Sequence, residues 1–314
     1  MTMHDAINNY VHDGDCIALG GFVTNKKPYA AVCEIIRQGK KDLYVQTGAA
    51  GGDVDMLIGA GLVKVLFNSY LANSGFTQVG RRFRQAVEQG EILCEDYSLD
   101  VQCVLYHAAA LGLPFIAVKN MLGSSLIDKW GIPAEVYASD PKLPPFKLKV
   151  DCSPFNPDEK VCYLPVPVID TAIIHVQQAA PDGTCRIDGS LYGDMDISMA
   201  ATNCIVTCEE LVSPGLLRGE PWRNQLPNIS VDAVVHAPYG AHPSQCANYY
   251  DYDGVFLRMY DKASKDDQSF QAFLDEWVYG VKDHYGYINK VGVSTLTGLH
   301  VTPGFGFKPG LKRS

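Results

Sequence analysis

Short apolar runs alternate with segments of helical period along the first 120 residues of the chain. Residues 28–38 carry apolar side chains at helical spacing, and Gly39 follows them as a residue that suits a helix stop. By the same criteria, strands are predicted at residues 16–22, 43–47, 63–68, 92–94 and 115–118, and helices at residues 28–38, 81–89 and 99–111. Strands and helices in alternation predict the α/β class, with an open, mostly parallel sheet flanked by helices.

A proline-rich stretch, residues 131–167, interrupts this alternation. It holds eight prolines, so we expect an irregular excursion there rather than a packed helix. Regular segments then resume, with strands predicted at residues 172–176, 205–208 and 231–236 and helices at residues 195–201 and 256–281. The boundary at this stretch is a soft one, and we expect residues 1–314 to form a single domain.

The composition is that of a globular protein with a sizeable core. Of the 314 residues, 47% are hydrophobic and 19% are charged, and the mean hydropathy is −0.03. The 26 basic and 35 acidic residues give a formal net charge of −9, which argues against binding nucleic acid or anionic lipid through bulk charge. No apolar run approaches the roughly 18 residues of a membrane span, and the first ten residues lack the features of a signal peptide. We therefore expect a cytoplasmic protein that binds neither nucleic acid nor membrane.

Ten cysteines are scattered singly through apolar runs, an arrangement unlike a disulfide framework. We expect buried free thiols in a reducing compartment. The closest pair, Cys204 and Cys208, lies in a predicted strand and forms no CxxC motif, and His236 and His242 have no helix to align them. We therefore expect no metal site.

Four glycine-rich loops follow predicted strands. Gly20 and Gly21 end the first strand, and residues 48–53, 72–75 and 123–125 follow the second, the third and a later strand. The carboxyl ends of parallel strands share one edge of a sheet, where ligand crevices usually form, so these loops predict a common site. Ordinary tight turns remain an equally good interpretation, because every α/β sheet places turn residues at this edge. No GxGxxG or P-loop spacing occurs, so neither dinucleotide nor P-loop chemistry is indicated.

Candidate nucleophiles and bases form no recognised catalytic motif, since neither GxSxG nor HExxH occurs. Ser74 would need a nearby histidine, and His107 cannot be placed beside it, so a hydrogen-bonding or capping role is favoured. The acidic pairs at residues 95–96 and 209–210 end predicted strands and could act as bases. Acidic residues that open a helix are the commoner case.

A basic cluster, formed by Arg81, Arg82 and Arg84, stands out on this acidic chain. Arginine presents a planar fork that suits phosphate. A solvated face, or pairing across a subunit contact, is the commoner use of such a cluster, and the sequence leaves the choice open.

The block at residues 13–28, DGDCIALGGFVTNKKP, resembles the signature of the first family (family I) of CoA-transferases. An Asp-Gly start, an apolar run, Gly-Gly-Phe and a later proline carry the resemblance, and Lys26 departs from it where the signature has a second glycine region. Further blocks, among them TGAAGGDVDMLIGAG and VDAVVHAPYGAHPSQC, are similar to the alpha subunit of the glutaconate branch of this family. The similarity runs from about residue 5 to about residue 304.

The resemblance implies a fold, a reaction and a partner. The fold is the family I scaffold, which sugar-phosphate isomerases share. The reaction moves CoA from acetyl-CoA, or another acyl-CoA, to a five-carbon dicarboxylate such as glutaconate, with coenzyme A as a substrate and no permanently bound cofactor. In the family, a glutamate of the beta subunit becomes a glutamyl-CoA thioester, and the Glu-Asn-Gly motif that carries it is absent from this sequence. The resemblance thus implies half of an interfacial site in a heterodimer or larger hetero-oligomer.

The resemblance also assigns residues. No catalytic residue is expected in this chain, and Glu95 and Asp96 are treated as structural. The first glycine loop is expected to face the oxyanion and the acyl group, through Gly20, Gly21 and Phe22. The dicarboxylate pocket is expected to include Asn73, Ser74, Gly123 and Ser124.

Two rival functions stay open at this point. Relatives with the same fold and subunit plan act on CoA-bound dicarboxylates as decarboxylases or carbon–carbon hydrolases, and the alpha chain discriminates these poorly because the decisive residue lies on the partner. A non-catalytic sensor of acyl-CoA or sugar phosphate would keep the scaffold. Such a sensor should carry an output segment, and no helix-turn-helix candidate is visible.

Overall fold

A computed structural model describes residues 1–302 and 304–311 and arranges the strands in three sheets. In chain order the strands are β1 (Cys16–Leu19), β2 (Leu43–Gln46), β3 (Ala49–Ala50), β4 (Val63–Asn68), β5 (Tyr70–Leu71), β6 (Leu93–Asp96), β7 (Phe115–Val118), β8 (Lys149–Ser153), β9 (Asn156–Pro165), β10 (Thr171–Ala179), β11 (Cys185–Arg186), β12 (Asn203–Leu211) and β13 (Ala233–His236). The main sheet has the order β13-β12-β10-β1-β2-β4-β6, and every neighbouring pair in this order is parallel. The predicted α/β class with an open, mostly parallel sheet is confirmed.

Helices cover both faces of this sheet. In chain order they are α1 (Met3–Tyr10), α2 (Tyr29–Gln38), α3 (Gly52–Gly59), α4 (Arg81–Gln89), α5 (Leu99–Ala110), α6 (Ala134–Ser139), α7 (Asp194–Ala200), α8 (Pro214–Gly219), α9 (Gly254–Ala263), α10 (Asp267–Leu274), α11 (His284–Val291) and α12 (Val293–Gly298). Single 3-10 turns lie at Ser125–Ile127, Pro221–Arg223 and Asn228–Ser230, and a π turn lies at Asp275–Tyr279.

Strand β1 shows how the sheet separates two apolar layers. Ile17 and Leu19 pack with α1, α2, α3 and the C-terminal helices, whereas Cys16 and Ala18 pack on the opposite face, towards α5 and α7. Side chains alternate between the faces because the strand has a period of two residues. Since both faces are covered, the strand is buried at all four positions.

Most predicted elements are present with shifted ends. The strand predicted at residues 16–22 stops at Leu19. The Gly20 amide still donates to the Ile173 carbonyl of β10, and Gly21, with a φ of +74°, then turns the chain away. The helix predicted at residues 256–281 is divided into α9, α10 and the π turn. Asp266 begins the second piece, where its side chain accepts a hydrogen bond from the Ser269 amide as a helix N-cap.

The region predicted as an irregular excursion is more regular than expected. It contains α6 and the hairpin of β8 and β9, and β9 also pairs antiparallel with β7. The strand at residues 115–118 therefore belongs to this separate sheet rather than to the parallel one. Several prolines lie at element ends, as Pro133 does before α6 and Pro165 does at the end of β9, so they delimit these elements instead of breaking them.

All ten cysteines are free, which confirms the absence of a disulfide framework, but only six are buried: Cys103 and Cys152 are exposed, and Cys33 and Cys94 are partly buried. Burial raises the pKa of Cys16, Cys204 and Cys208 to about 12, so these thiols stay uncharged and pack as small apolar groups. Within residues 1–302 and 304–311, no helix is both long and apolar enough to cross a bilayer.

Candidate active site at the carboxyl edge of the sheet

The first three glycine-rich loops meet at the carboxyl edge of the main sheet. The Val23 amide of the first loop donates a hydrogen bond to the Ala49 carbonyl of the second, over 3.0 Å. The Gly52 amide of the second loop donates to Asn73 Oδ1 of the third, over 2.9 Å. These direct contacts hold the ends of β1, β2 and β4 in one assembly, as the strand pattern predicts.

The fourth loop follows a strand of the other sheet. Gly123 and Ser124 come after β7, which pairs with β9 and not with the parallel strands. The Ser124 hydroxyl accepts a hydrogen bond from the Leu126 amide and so caps the short 3-10 turn. The prediction that this loop shares the carboxyl edge of the main sheet is therefore wrong in its premise, and a dicarboxylate role for these two residues keeps only the support of the family resemblance.

The backbone amides of the first loop all donate hydrogen bonds within the chain. The three bonds run from Gly20 to the Ile173 carbonyl (2.9 Å), from Gly21 to Asp194 Oδ1 (2.7 Å) and from Phe22 to the Asn25 carbonyl (2.8 Å). These amides stabilise the loop itself. An oxyanion role for Gly20, Gly21 or Phe22 would require a rearrangement of these bonds, so it finds no support in this geometry.

Asp194, the first residue of α7, anchors this loop at two points. Its Oδ1 accepts the Gly21 amide, and its Oδ2 lies 3.0 Å from the Lys26 ammonium. The carboxylate is fully buried and Lys26 is only 2% exposed. The lysine that departs from the family signature therefore closes the loop through an ion pair, in a left-handed backbone conformation with φ of +49°.

Gly21 is conformationally required in this arrangement. Its φ is +74°, and a Cβ there would lie 2.4 Å from the Asn25 carbonyl oxygen. We expect Gly21→Ala to lower the free energy of unfolding by about 2 kcal/mol or more, measured by urea denaturation. Gly123→Ala is the matched control, because Gly123 has a φ of +81° and open space around the Cβ position. Equal losses in the two variants would show that the close approach to the Asn25 carbonyl has no cost.

A mainly apolar pocket opens beside the first loop. Phe22 and Tyr192 form one wall, with their rings stacked at 5.0 Å and 14°. Tyr192 has a φ of +53°, an uncommon conformation for a residue with a side chain, and it is 37% exposed. The other lining residues come from the loop ends and from α5 and α7, and include Gly20, Gly21, Gly48, Leu99, Cys103, Tyr106 and Ile197. The acyl-facing position of Phe22 stays a prediction, which its place in this pocket wall supports.

Two buried carboxylates on α3, the helix that follows the second loop, bind neighbouring elements. Asp53 lies 3.1 Å from the Lys27 ammonium, and both side chains are fully buried. Asp55 accepts hydrogen bonds from the Tyr260 hydroxyl (2.6 Å) and the Phe83 amide (2.8 Å). Burial raises the pKa of Asp55 to about 6, because the charged form loses its hydration. These contacts join α3 to the first loop, to α4 and to α9.

The two third-loop residues predicted to bind substrate differ in whether their side chains are free to contact a ligand. Asn73 is buried, and its Oδ1 is engaged by the Gly52 amide, so it positions the second loop. Ser74 is exposed, and its hydroxyl lies 3.2 Å from that of Tyr70. The His107 ring contacts Asp196 instead, over 3.0 Å, so the structure does not pair this histidine with Ser74.

The glutamates considered as bases lie in buried hydrogen-bond networks. Glu95 lies 2.7 Å from the Lys147 ammonium and also accepts from the Tyr137 hydroxyl. Glu209 lies 2.7 Å from His175 Nε2 and accepts from the Tyr250 hydroxyl. Both residues lie within strands β6 and β12, so the alternative that they open helices is wrong, and their contacts give them structural roles.

The basic cluster is paired within the chain. The three arginines have one acidic partner each: Arg81 with Asp261 (2.7 Å), Arg82 with Asp267 (2.5 Å) and Arg84 with Glu88 (2.8 Å). These ion pairs favour a structural role for the cluster over contact with a phosphate.

Sequence reasoning missed Asp194 and Tyr192 as parts of the site. Asp194 lies just before the helix predicted at residues 195–201, and this position alone suggests a residue that stabilises a helix start. Its contact with Gly21 joins residues 173 positions apart, and no local pattern encodes such a contact. Tyr192 follows Leu191 in a loop without any motif, so no sequence signal distinguishes it from other exposed aromatic residues.

Comparisons with known proteins agree with this architecture. A family model described as Coenzyme A transferase matches residues 1–237. The chain is 56% identical over 307 residues to the A subunit of glutaconate CoA-transferase from Acidaminococcus fermentans, covering 98% of this chain and 96% of the relative. It is 34% identical over 294 residues to the A subunit of 3-oxoadipate CoA-transferase from Pseudomonas knackmussii, covering 93% and 97%.

A solved structure extends the agreement to the whole fold. The crystal structure of glutaconate coenzyme A-transferase from Acidaminococcus fermentans matches with a TM-score of 0.96 and 56% identity, over 98% of this chain and 97% of that chain. The resemblance and the scaffold expected from the glycine-loop signature are confirmed. The chain belongs to the coenzyme A transferase family.

Proposed function

We propose that this chain is the alpha subunit of a heteromeric CoA-transferase, which moves CoA from acetyl-CoA or another acyl-CoA to a five-carbon dicarboxylate such as glutaconate. The similarity to the A subunit of a glutaconate CoA-transferase along 98% of the chain is the observation that carries the proposal. The apolar pocket beside Phe22 supports it, because a hydrocarbon chain between two carboxyl groups needs an apolar wall.

In the proposed chemistry, the nucleophile is a carboxylate of the beta subunit. A glutamate attacks the thioester, which gives a mixed anhydride and releases the CoA thiolate. The thiolate attacks the glutamyl carbonyl of the anhydride, which leaves a glutamyl-CoA thioester and frees the first acid. The second acid then takes over the CoA by the same steps in reverse. CoA is thus a substrate in this proposal, and no permanently bound cofactor is part of it.

This chain contributes the wall and the shape of the pocket. Phe22 and Tyr192 contact the acyl chain and exclude water, which strengthens electrostatic interactions at the reacting carbonyl. Asn73 holds the second loop in place, and Ser74 offers an exposed hydroxyl to a carboxylate. We place the complex in the cytoplasm, because the ten free cysteines of this chain suit a reducing compartment.

The test is an assay of this chain together with its beta subunit, with acetyl-CoA and glutaconate as substrates. Chromatography should show the products, glutaconyl-CoA and acetate, in equal amounts. Incubation with acetyl-CoA alone should add the mass of CoA, less one water, to the beta subunit in an intact-mass measurement. A parallel assay supplies glutaconyl-CoA directly: release of carbon dioxide would then indicate a decarboxylase, and cleavage of a carbon–carbon bond by water would indicate a hydrolase. Binding of these compounds without any turnover would indicate a sensor.

A further inference from the structure

Arg258, on α9, holds a half-buried guanidinium beside the third glycine-rich loop. Its guanidinium carbon lies 5.6 Å from the ring centre of Phe76, two residues beyond Ser74. Among residues 1–302 and 304–311, no carboxylate lies within 4.0 Å of this side chain, and it donates no hydrogen bond. Within the described residues, the arginine is thus a cation without a counter-charge, at the edge of the candidate site.

The nearest acid on the same helix is already occupied. Asp261 lies one turn beyond Arg258, yet both of its oxygens are bound by Arg81, over 2.7 and 3.0 Å. The Thr77 hydroxyl donates to the same carboxylate, over 2.8 Å. Because this acid is satisfied by Arg81 and Thr77, the five N–H donors of Arg258 remain available.

Aromatic packing fixes the orientation of Phe76 and therefore of the cation above it. Tyr252 meets the Phe76 ring edge-on, at 5.6 Å and 83°. Gly254 allows close packing on the same ring, since a Cβ there would lie only 3.1 Å from it. An arginine held over an aromatic face is partly dehydrated, and this strengthens its attraction for an anion.

Two exposed hydroxyl groups meet here, that of Ser74 on the third loop and that of Tyr70 in the preceding strand β5. Ser74 Oγ and Tyr70 OH are 3.2 Å apart, and neither is bound to a carboxylate in the described part of the chain. Hydroxyls and a guanidinium fork are the usual donors for carboxylate and phosphate oxygens. Among the described residues, every other arginine has a carboxylate partner within 4.0 Å, so Arg258 is the exception.

We propose that Arg258, together with the Ser74 and Tyr70 hydroxyls, binds an anionic oxygen group of a substrate. The proposal rests on the proposed function, which supplies two sources of such a group: a phosphate of CoA and a free carboxylate of the dicarboxylate. Both groups present oxygens that a guanidinium binds in the same bidentate manner. The structure therefore indicates an anionic oxygen group, and the experiment below distinguishes the phosphate from the carboxylate.

The experiment compares Arg258→Met and Arg258→Lys in the complete complex. Methionine keeps the apolar contact with Phe76 and removes the charge, whereas lysine keeps the charge and removes the fork. Arg84→Met is the matched control, because Arg84 is an exposed arginine paired with Glu88 on the neighbouring α4. Each complex is assayed with acetyl-CoA and with acetyl-pantetheine, which has no phosphate, and with a five-carbon dicarboxylate and a monocarboxylate of equal length.

We expect Arg258→Met to reduce kcat/KM by roughly ten- to a hundredfold for the substrate whose anionic group it binds. Arg258→Lys should lose less, and Arg84→Met should lose nothing measurable. A loss that vanishes with acetyl-pantetheine identifies the phosphate, and a loss that vanishes with the monocarboxylate identifies the free carboxylate. An unchanged kcat/KM, or an equal loss with every substrate, would overturn the assignment.

Failure of this proposal is distinguishable from failure of the proposed function. If the wild-type complex transfers CoA while Arg258→Met behaves as wild type, only the Arg258 site is refuted. If the wild-type complex transfers no CoA, the proposed function fails. The Arg258 site is then tested by calorimetry, which compares the affinity of the wild-type and Arg258→Met complexes for CoA and for the free dicarboxylate. Thermal unfolding of each variant serves as the folding check. If only Arg258→Met shows a lower Tm, the kinetic comparison with wild type is made with Arg258→Lys instead.

Discussion

The purified chain alone will transfer no measurable CoA, and addition of its beta subunit will raise the rate by at least about a thousandfold. The expectation rests on the chemistry available in this chain. Glu95 is bound to Lys147, and Glu209 is bound to His175 and Tyr250, so neither carboxylate is presented to the pocket as a nucleophile. The measurement is the acetyl-CoA and glutaconate assay, with the two chains at varied ratios and the activity expected to saturate at equal stoichiometry.

The controls separate a missing nucleophile from a misfolded chain. Glu95→Gln and Glu209→Gln are each assayed with the beta subunit, and their Tm is measured. Because both glutamates lie in buried hydrogen-bond networks, we expect any loss of activity to be accompanied by a lower Tm. Strong turnover by the single chain would contradict the proposed division of the site between two chains. In that case, abolition of turnover by one of these two substitutions, without a change in Tm, would identify the nucleophile in this chain.

Asp194→Ala should lower the free energy of unfolding by about 3–5 kcal/mol, the range found when one partner of a buried ion pair is removed. The Lys26 ammonium would be left without its carboxylate, and the Gly21 amide without its acceptor. The measurement is urea denaturation at neutral pH. Because this change releases both ends of the first glycine loop, the complete complex should also lose turnover by at least roughly tenfold at temperatures where it stays folded.

A double substitution tests the mechanism of that loss. Lys26→Met combined with Asp194→Ala removes the buried charge altogether, so it should regain part of the stability that the single change removes. Glu88→Ala, which breaks the exposed pair with Arg84, is the control and should cost less than about 1 kcal/mol. The assignment fails if Asp194→Ala costs no more than Glu88→Ala, or if the double variant is as unstable as the two single losses added together.

The fold can be predicted wherever local pattern determines it. Helix α2 is predictable because its buried side chains repeat at helical spacing and Gly39, with a φ of +65°, ends it. Strand β7 is predictable as a strand, but its sheet is not, because its partner β9 lies about 40 residues away in the proline-rich stretch. Proline content indicates where regular elements end, and it carries no information about which strands pair.

The candidate site divides in the same way. The glycine turns after β1, β2 and β4 are predictable, because parallel strands bring their carboxyl ends to one edge. The hydrogen-bond partners of the turn amides are not predictable, since the Gly21 amide donates to Asp194 of the distant helix α7. Nothing in the sequence distinguishes Arg258 either, because this cation becomes conspicuous only when the structure shows that Arg81 has taken the neighbouring acid Asp261.

The position of β1 in the main sheet has a consequence for synthesis of the chain. One side of β1 pairs with β2, only about 27 residues later, but the other side pairs with β10, whose first paired residue is Thr171. A nascent chain that has emerged from the ribosome only as far as residue 170 can therefore fold β1 merely as an edge strand, with open backbone groups along the side that β10 will cover. Translation must therefore proceed past Thr171 before this edge can close, and until then the open edge is exposed to strand pairing with other nascent chains.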